Sequence, residues 1–146
     1  MSQENQNVLR VFRTKSEAKK GIADKVELMC GDALTMPYEK EKFDAVFMSF
    51  SLELFDTPEI PKVLGEIKRV LKPEGRLVVV SMSKDGKNTL MLKLYEWAHE
   101  KFPEYADCRP IYPEKFLSEA GFLIKHKEVL SSFGLPMEIV VGNKAG

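Results

Sequence analysis

The sequence predicts a three-layer α/β domain with a mostly parallel sheet and an antiparallel hairpin at its carboxyl end. Three observations predict it. Phe43–Phe50 and Arg76–Met82 are nearly continuous apolar runs, the habit of parallel strands buried on both faces beneath helices. Between them Val63, Leu64, Ile67, Val70 and Leu71 recur at helical spacing, so the segment reads as strand, helix and strand with a right-handed crossover. Phe122–Ser131 and Met137–Asn143 are β-rich and joined by the short link Ser132–Pro136, which favours an antiparallel hairpin.

In chain order, Ser2–Lys20 places Val8, Leu9, Val11, Phe12 and Ala18 partly at helical spacing, with Ser2 as cap and Gly21 as stop. The basic residues Arg10, Arg13, Lys15, Lys19 and Lys20 are interrupted by Glu17 and carry no interleaved aromatics. They read as a solvated helix face. Val26–Cys30 is the first apolar run and stops at Gly31-Asp32, which leaves a carboxylate at the strand's carboxyl end. Ala33–Lys42, with Pro37 and the run EKEK, reads as a surface loop.

The helix after Phe50 is expected to be capped by Asp56 or Thr57, with Pro58 at its first position. Lys72-Pro73-Glu74-Gly75 ends it, since proline cannot continue the ladder and glycine supplies the turn. Ser83–Lys87 is a polar loop. Asn88–Phe102 reads as a helix with Leu90, Leu94, Trp97 and Ala98 on one face, ended by Pro103, and Asp107–Pro113 is irregular. Pro113–Ala120 is a short helix with Gly121 at its C′ position.

The chain has 146 residues, 44% hydrophobic and 30% charged, which fits one folded domain rather than disorder. Lysine plus arginine, 22, equals aspartate plus glutamate, 22, so no overall field attracts polyanions and no nucleic-acid partner is expected. Cys30 and Cys108 make neither a disulfide framework nor a paired metal spacing. No apolar run approaches the roughly 20 residues of a membrane span, and MSQENQNVLR has no signal-peptide centre. The expected compartment is the cytoplasm.

The pieces GIADKVELMCGDALTMPY, FDAVFMSFSLELF, EIPKVLGEIKRVLKPEGRLVVVS and YPEKFLSEAGF stand in an order that resembles class I S-adenosylmethionine-dependent methyltransferases. The branch is the one that contains quinone-biosynthesis methyltransferases and the type 11 methyltransferase domain. The resemblance implies a Rossmann-like fold, S-adenosylmethionine as cofactor and a small-molecule methyl acceptor. It also implies that Asp32 accepts a hydrogen bond from the adenine amino group, that the Ala33 amide meets the ring, and that Met48, Ser49, Phe50 and Ser51 line the methionine end.

One part of the family pattern is missing. The glycine loop, acidic-x-Gly-x-Gly-x-Gly, does not occur, and the first glycine is Gly21. The resemblance therefore covers the carboxyl two-thirds of a fold whose strand order is 3-2-1-4-5-7-6. Two outcomes are open. Either the run Val26–Cys30 closes beside Phe43–Phe50 to give 3-4-5-7-6, or a second molecule covers a bare edge, as a homodimer or a complex with a homologous subunit. A truncated, non-catalytic methyltransferase-like subunit is the alternative to an active enzyme.

Methyl transfer from a sulfonium is an in-line displacement that needs positioning more than a nucleophile. Should the acceptor carry a proton, Glu53, Tyr95, His99, Tyr112 and His126 are the available bases, Glu53 lying just past the second apolar run. His99 in its helix and His126 between two lysines read as surface residues. Met82, Met91, Leu94, Trp97 and Phe102 are candidates for an apolar acceptor pocket or for plain core, and no metal site is expected.

Overall fold

The computed structural model describes residues 29–83, 111–132 and 135–146, together with Lys93, Trp97, Glu100 and Lys101, which are helical. Tyr38–Gly146 forms one compact unit, and Met29–Pro37 belongs to another. The expected helix Ser2–Lys20, the start of the run Val26–Cys30, and Tyr95, His99 and Cys108 lie outside the described residues.

The larger unit is built on four strands, β1 (Phe43–Ser49), β2 (Leu71–Met82), β3 (Phe122–Ser132) and β4 (Leu135–Lys144). Their order is β1-β2-β4-β3, which is the 4-5-7-6 portion of the expected sheet. β1 runs parallel to β2, while β2–β4 and β3–β4 are antiparallel. Among the described strands the parallel part of the sheet is thus the β1–β2 contact. Helix α1 (Ile60–Val70) makes the crossover between them, and α2 (Pro113–Glu119) leads into the hairpin.

One sheet face is the core. Leu77, Val79 and Ser81 of β2 pair in register with Gly142, Val140 and Glu138 of β4, and all six are buried. Gly142 shows what covers them, since a Cβ there would lie 3.0 Å from that of Phe122 and 3.3 Å from a Leu117 methyl. Leu117 of α2 and Phe122 at the start of β3 use the space its hydrogen leaves. The α1 stripe Ile60, Val63, Leu64, Ile67 and Val70 is wholly buried, and α1 packs against α2. Both helices therefore lie on that face.

The other face differs from expectation. The run Phe43–Phe50 implied burial on both faces, yet Ala45, Phe47 and Ser49 are exposed, Phe47 by 65%. Only Met48 of β1 is buried. The apolar run is continuous because the outward residues are apolar, not because they are covered.

Two boundaries also shift. Helix α1 begins at Ile60 with Pro61 in its first turn and Glu59 as N-cap, rather than at Pro58. The amides of Glu59 and Ile60 both donate to the Asp56 carbonyl, and the Glu59 carboxylate takes the Asp56 amide at 3.3 Å, so residues 56–59 form a turn of their own. β2 begins at Leu71 rather than Arg76, and its register with β1 jumps from Phe43–Leu71 to Ala45–Arg76. Within that jump Glu74, not Gly75, has the positive φ of 62°. Gly75 serves by being small, for a Cβ would sit 2.8 Å from the Lys72 carbonyl oxygen and 3.3 Å from that of Asp44. At the end of α2 the expected C′ glycine is present, Gly121 having φ +81° and donating to the Ser118 carbonyl at 3.0 Å. Lys68 of α1 caps the same helix by donating to the carbonyls of Ala120 at 3.2 Å and Gly121 at 3.4 Å.

A polar group is built into the core. Glu138 is fully buried. Its Oε2 accepts from the Ser83 hydroxyl at 2.7 Å, and its Oε1 lies 3.6 Å from Lys127 Nζ. Lys127 also donates to Glu114 of α2 at 2.6 Å. This chain of charges joins β2's end, β4, β3 and α2.

Candidate functional site

In a sheet of this kind ligands sit beyond the carboxyl ends of parallel strands. Here that is the end of β1 and β2, where the backbone does something specific. Phe50 donates its amide to the Val80 carbonyl at 2.8 Å and then takes a left-handed conformation, φ 47°. A regular parallel ladder would next offer the Phe50 carbonyl to the Met82 amide. The turn carries that carbonyl away, and Glu53 Oε1 accepts the Met82 amide instead, at 3.3 Å.

Glu53 reaches that position from a 3-10 turn, Leu52–Leu54, whose Leu52 is buried with Phe55 beside it while Leu54 is exposed. Glu53 itself is 1% exposed. Its Oε2 is buried and has no hydrogen-bond partner among the described residues. Removal from water pushes the carboxyl pKa up, the bonds from the backbone amides of Glu53 and Met82 only partly opposing it. The carboxylate thus closes the end of the sheet rather than standing open to solvent.

A stability consequence follows from that shift. The native state holds the Glu53 proton more tightly than the unfolded chain does, so stability is greatest below the ordinary value of 4.5 and falls as pH rises from there to the raised value. In urea denaturation at a series of pH values, the wild type is expected to lose stability relative to Glu53→Gln as pH increases through this window. A difference that stays constant with pH would show that the carboxyl is not shifted.

Of the residues assigned to the methionine end, Met48 points into the core and is 7% exposed. Ser49 is exposed, and Phe50 and Ser51 are half-buried, so these three present surface at the turn. Asp32 and Ala33 lie in the other unit, Asp32 exposed and Ala33 half-buried. Asp32 Oδ1 accepts the Leu34 amide at 2.9 Å, and its carbonyl accepts the Thr35 amide at 3.2 Å. This side-chain turn fixes the carboxylate and leaves Oδ2 without a bond among the described residues.

Of the other candidate bases, Tyr95 and His99 lie outside the described residues, and Tyr112 follows Ile111, which pairs with Ser83 at the carboxyl end of β2. His126 is exposed on β3, 3.6 Å from a Glu128 carboxylate oxygen, and Tyr112 is the exposed residue before α2. Trp97, expected on an apolar helix face, is 53% exposed. The buried pair Ser83–Glu138 was missed by sequence reasoning. Its only signal was an acid within the apolar run Met137–Val141.

Comparison with known proteins decides the family. The model for the methyltransferase domain matches residues 4–79. The chain belongs to the class I S-adenosylmethionine-dependent methyltransferases. Among curated methyltransferases, the demethylmenaquinone methyltransferase of Lactococcus lactis is 31% identical over 142 residues, covering 82% of this chain and 53% of the relative. A ubiquinone/menaquinone biosynthesis C-methyltransferase of Brucella anthropi is 35% identical over 100 residues, covering 68% of this chain and 36% of the relative. The chain thus spans about half or less of the length of these relatives.

Solved structures agree on the methyltransferase fold. An S-adenosylmethionine-dependent methyltransferase from Thermotoga maritima superposes with a TM-score of 0.66 at 23% identity, over 89% of this chain and 70% of that one. The [4+2]-cyclase SpnF superposes with a TM-score of 0.64 at 21% identity, over 89% of this chain and 60% of that one. A methyltransferase-like fold therefore does not by itself fix the reaction. Among the described residues no helix is long and apolar enough to cross a membrane.

Proposed function

We propose that this chain binds S-adenosylmethionine and takes part in methylating a small quinol-type ring, the acceptor class named for its menaquinone- and ubiquinone-pathway relatives. The observation that carries the reading is the turn at Phe50, where the backbone leaves the ladder and Glu53 takes over the vacated hydrogen bond. It holds Ser49, Phe50 and Ser51 at the strand ends where sheets of this class receive ligands.

The donor set fits the cofactor at separate points. The Asp32 carboxylate, anchored through one oxygen, keeps the other for an amino donor such as that of adenine, and the neighbouring Ala33 amide suits a ring nitrogen. Ser49 and Ser51 offer hydroxyls to the polar end. When bound, S-adenosylmethionine supplies an electrophilic methyl on a sulfonium. The chain's residues bind and orient, and Glu53 acts as a positioning residue that fixes the turn rather than as the base.

Calorimetric titration with S-adenosylhomocysteine is the test. Binding is expected for the wild type, weakened about tenfold or more by Asp32→Ala, the scale of one lost charge-assisted hydrogen bond. Heat that survives Asp32→Ala unchanged would overturn the adenine assignment. No heat from the wild type would overturn the cofactor reading and favour a non-catalytic subunit.

A further inference from the structure

Where β1 leaves the sheet, another part of the chain takes its place beside β2. The amide and carbonyl of Met82 both face the β1 side, as the Val80 carbonyl does in accepting the Phe50 amide. Beyond Phe50 the Met82 amide is met by Glu53 Oε1 at 3.3 Å, and the Met82 carbonyl by the Ile111 amide at 3.1 Å. Ile111 pairs with Ser83 as a parallel neighbour, so the residues after it run on from the carboxyl end of the sheet in line with β1. The first of them is Tyr112.

Burial and alternation say which way Tyr112 faces. Ile111 is buried and shares a face with its pair Ser83, the face on which Ser81 and Val79 are also buried. Tyr112, with φ −106° and ψ 81°, turns its side chain to the other face, the face of Ser49, and is 44% exposed. It stands at the N-cap of α2 and makes no side-chain capping bond there. Serine, threonine, aspartate or asparagine is what serves a helix at that position, so the helix does not account for an aromatic ring.

We propose that Tyr112 is an acceptor-binding residue, its phenol hydroxyl donating a hydrogen bond to an oxygen on the ring to be methylated. The inference rests on the reading of the acceptor as a quinol-type ring and adds the residue that recognises the ring oxygen. Ser49 is level with Val80 of β2, and Tyr112 lies one residue past the level of Ser83. Their backbones are thus about 13 Å apart along the sheet, and the acceptor is held between them, next to the methionine end at Ser49 and Ser51. A tyrosine suits this place, having a flat apolar body for the ring and one hydroxyl for its oxygen.

Equilibrium binding of 1-naphthol and of naphthalene to the whole chain, each with and without S-adenosylhomocysteine, is the test. The wild type is expected to bind 1-naphthol about fivefold to tenfold more tightly than naphthalene, the size of one net hydrogen bond. Tyr112→Phe is expected to abolish that preference by weakening 1-naphthol alone, with naphthalene and S-adenosylhomocysteine bound as before. Tyr38→Phe, beside Phe43 at the opposite end of β1, leaves all three as in the wild type. Equal binding of the two probes by the wild type, or a preference that survives Tyr112→Phe, overturns the proposal. So does an equal loss of both probes in that variant, which marks a packing role. A wild type that fails to bind S-adenosylhomocysteine overturns the cofactor reading instead, and the titrations without it still decide Tyr112.

Discussion

Lys127→Met is expected to destabilise the fold by about 3 kcal/mol, because it strands a buried carboxylate rather than because it removes a favourable contact. Glu138 is fully enclosed and, among the described residues, has Ser83 on one oxygen and Lys127 near the other. Without the ammonium, the enclosed Glu138 carboxylate faces no opposite charge among the described residues. Removing both charges tests this account. Lys127→Met combined with Glu138→Leu is expected to recover most of the loss, since replacing a buried pair by apolar groups is close to neutral. Glu138→Leu alone should cost less than Lys127→Met, because the partly exposed Lys127 keeps Glu114 at 2.6 Å. Urea denaturation at neutral pH of the two single variants and the double variant measures the asymmetry. A change within about 0.5 kcal/mol for Lys127→Met, the range of ordinary surface substitutions, would show that the network carries no stability.

The second large effect is in the helix that makes the crossover. Ile67→Ala is expected to cost about 2–5 kcal/mol, the range for emptying a closed core site, since Ile67 is fully buried among other apolar side chains of α1. Gly65, two residues earlier on the exposed side, provides the contrast. A Cβ there meets nothing within 4 Å, so Gly65→Ala should be stabilising by about 0.5–1 kcal/mol through the unfolded chain's lost freedom. Thermal unfolding of both variants is the measurement, and a loss of less than about 1 kcal/mol for Ile67→Ala would mean that the site collapses around the gap.

Two pairings in the order β1-β2-β4-β3 were legible locally, and the place of β4 beside β2 was implied by the family's strand order. A helical stripe between two apolar runs gives the parallel crossover, and a short link gives the hairpin. The α2 end was legible for the same reason, proline at its start and Gly121 after it being signals with one meaning each. What failed was any inference that depends on what lies opposite. Phe47 has the same composition whether covered or bare, so the run Phe43–Phe50 cannot announce its open face. Leu71 belongs to the helical stripe by spacing and yet opens β2, because its backbone is claimed by the strand beside it.

The candidate site was legible only in outline. The position of Glu53 just after a strand pointed to the end of β1, where it stands, but the bond it makes there depends on the φ of Phe50, which a phenylalanine does not advertise. The carboxylate of Asp32 was readable as the end of an apolar run and is held in an Asx turn, while its role toward a cofactor rests on the family. Glu138 shows the limit most clearly. An acid inside a strand reads as an outward residue until its lysine, on the other arm of the hairpin, is seen folded back beside it.

The place of β4 sets the timetable of synthesis. β2 lies between β1, made well before it, and β4, the last strand in the described sequence. As the chain leaves the ribosome, β1, α1 and β2 can associate early, but one side of β2 keeps its backbone groups open until Met137–Asn143 emerges to pair with them. The hairpin is quick to form by itself, its partners being neighbours in sequence, whereas joining it to β2 closes a long loop. Nascent chains halted before residue 137 are therefore the form in which this sheet is sticky, and a chaperone that holds extended apolar segments would have most to do there.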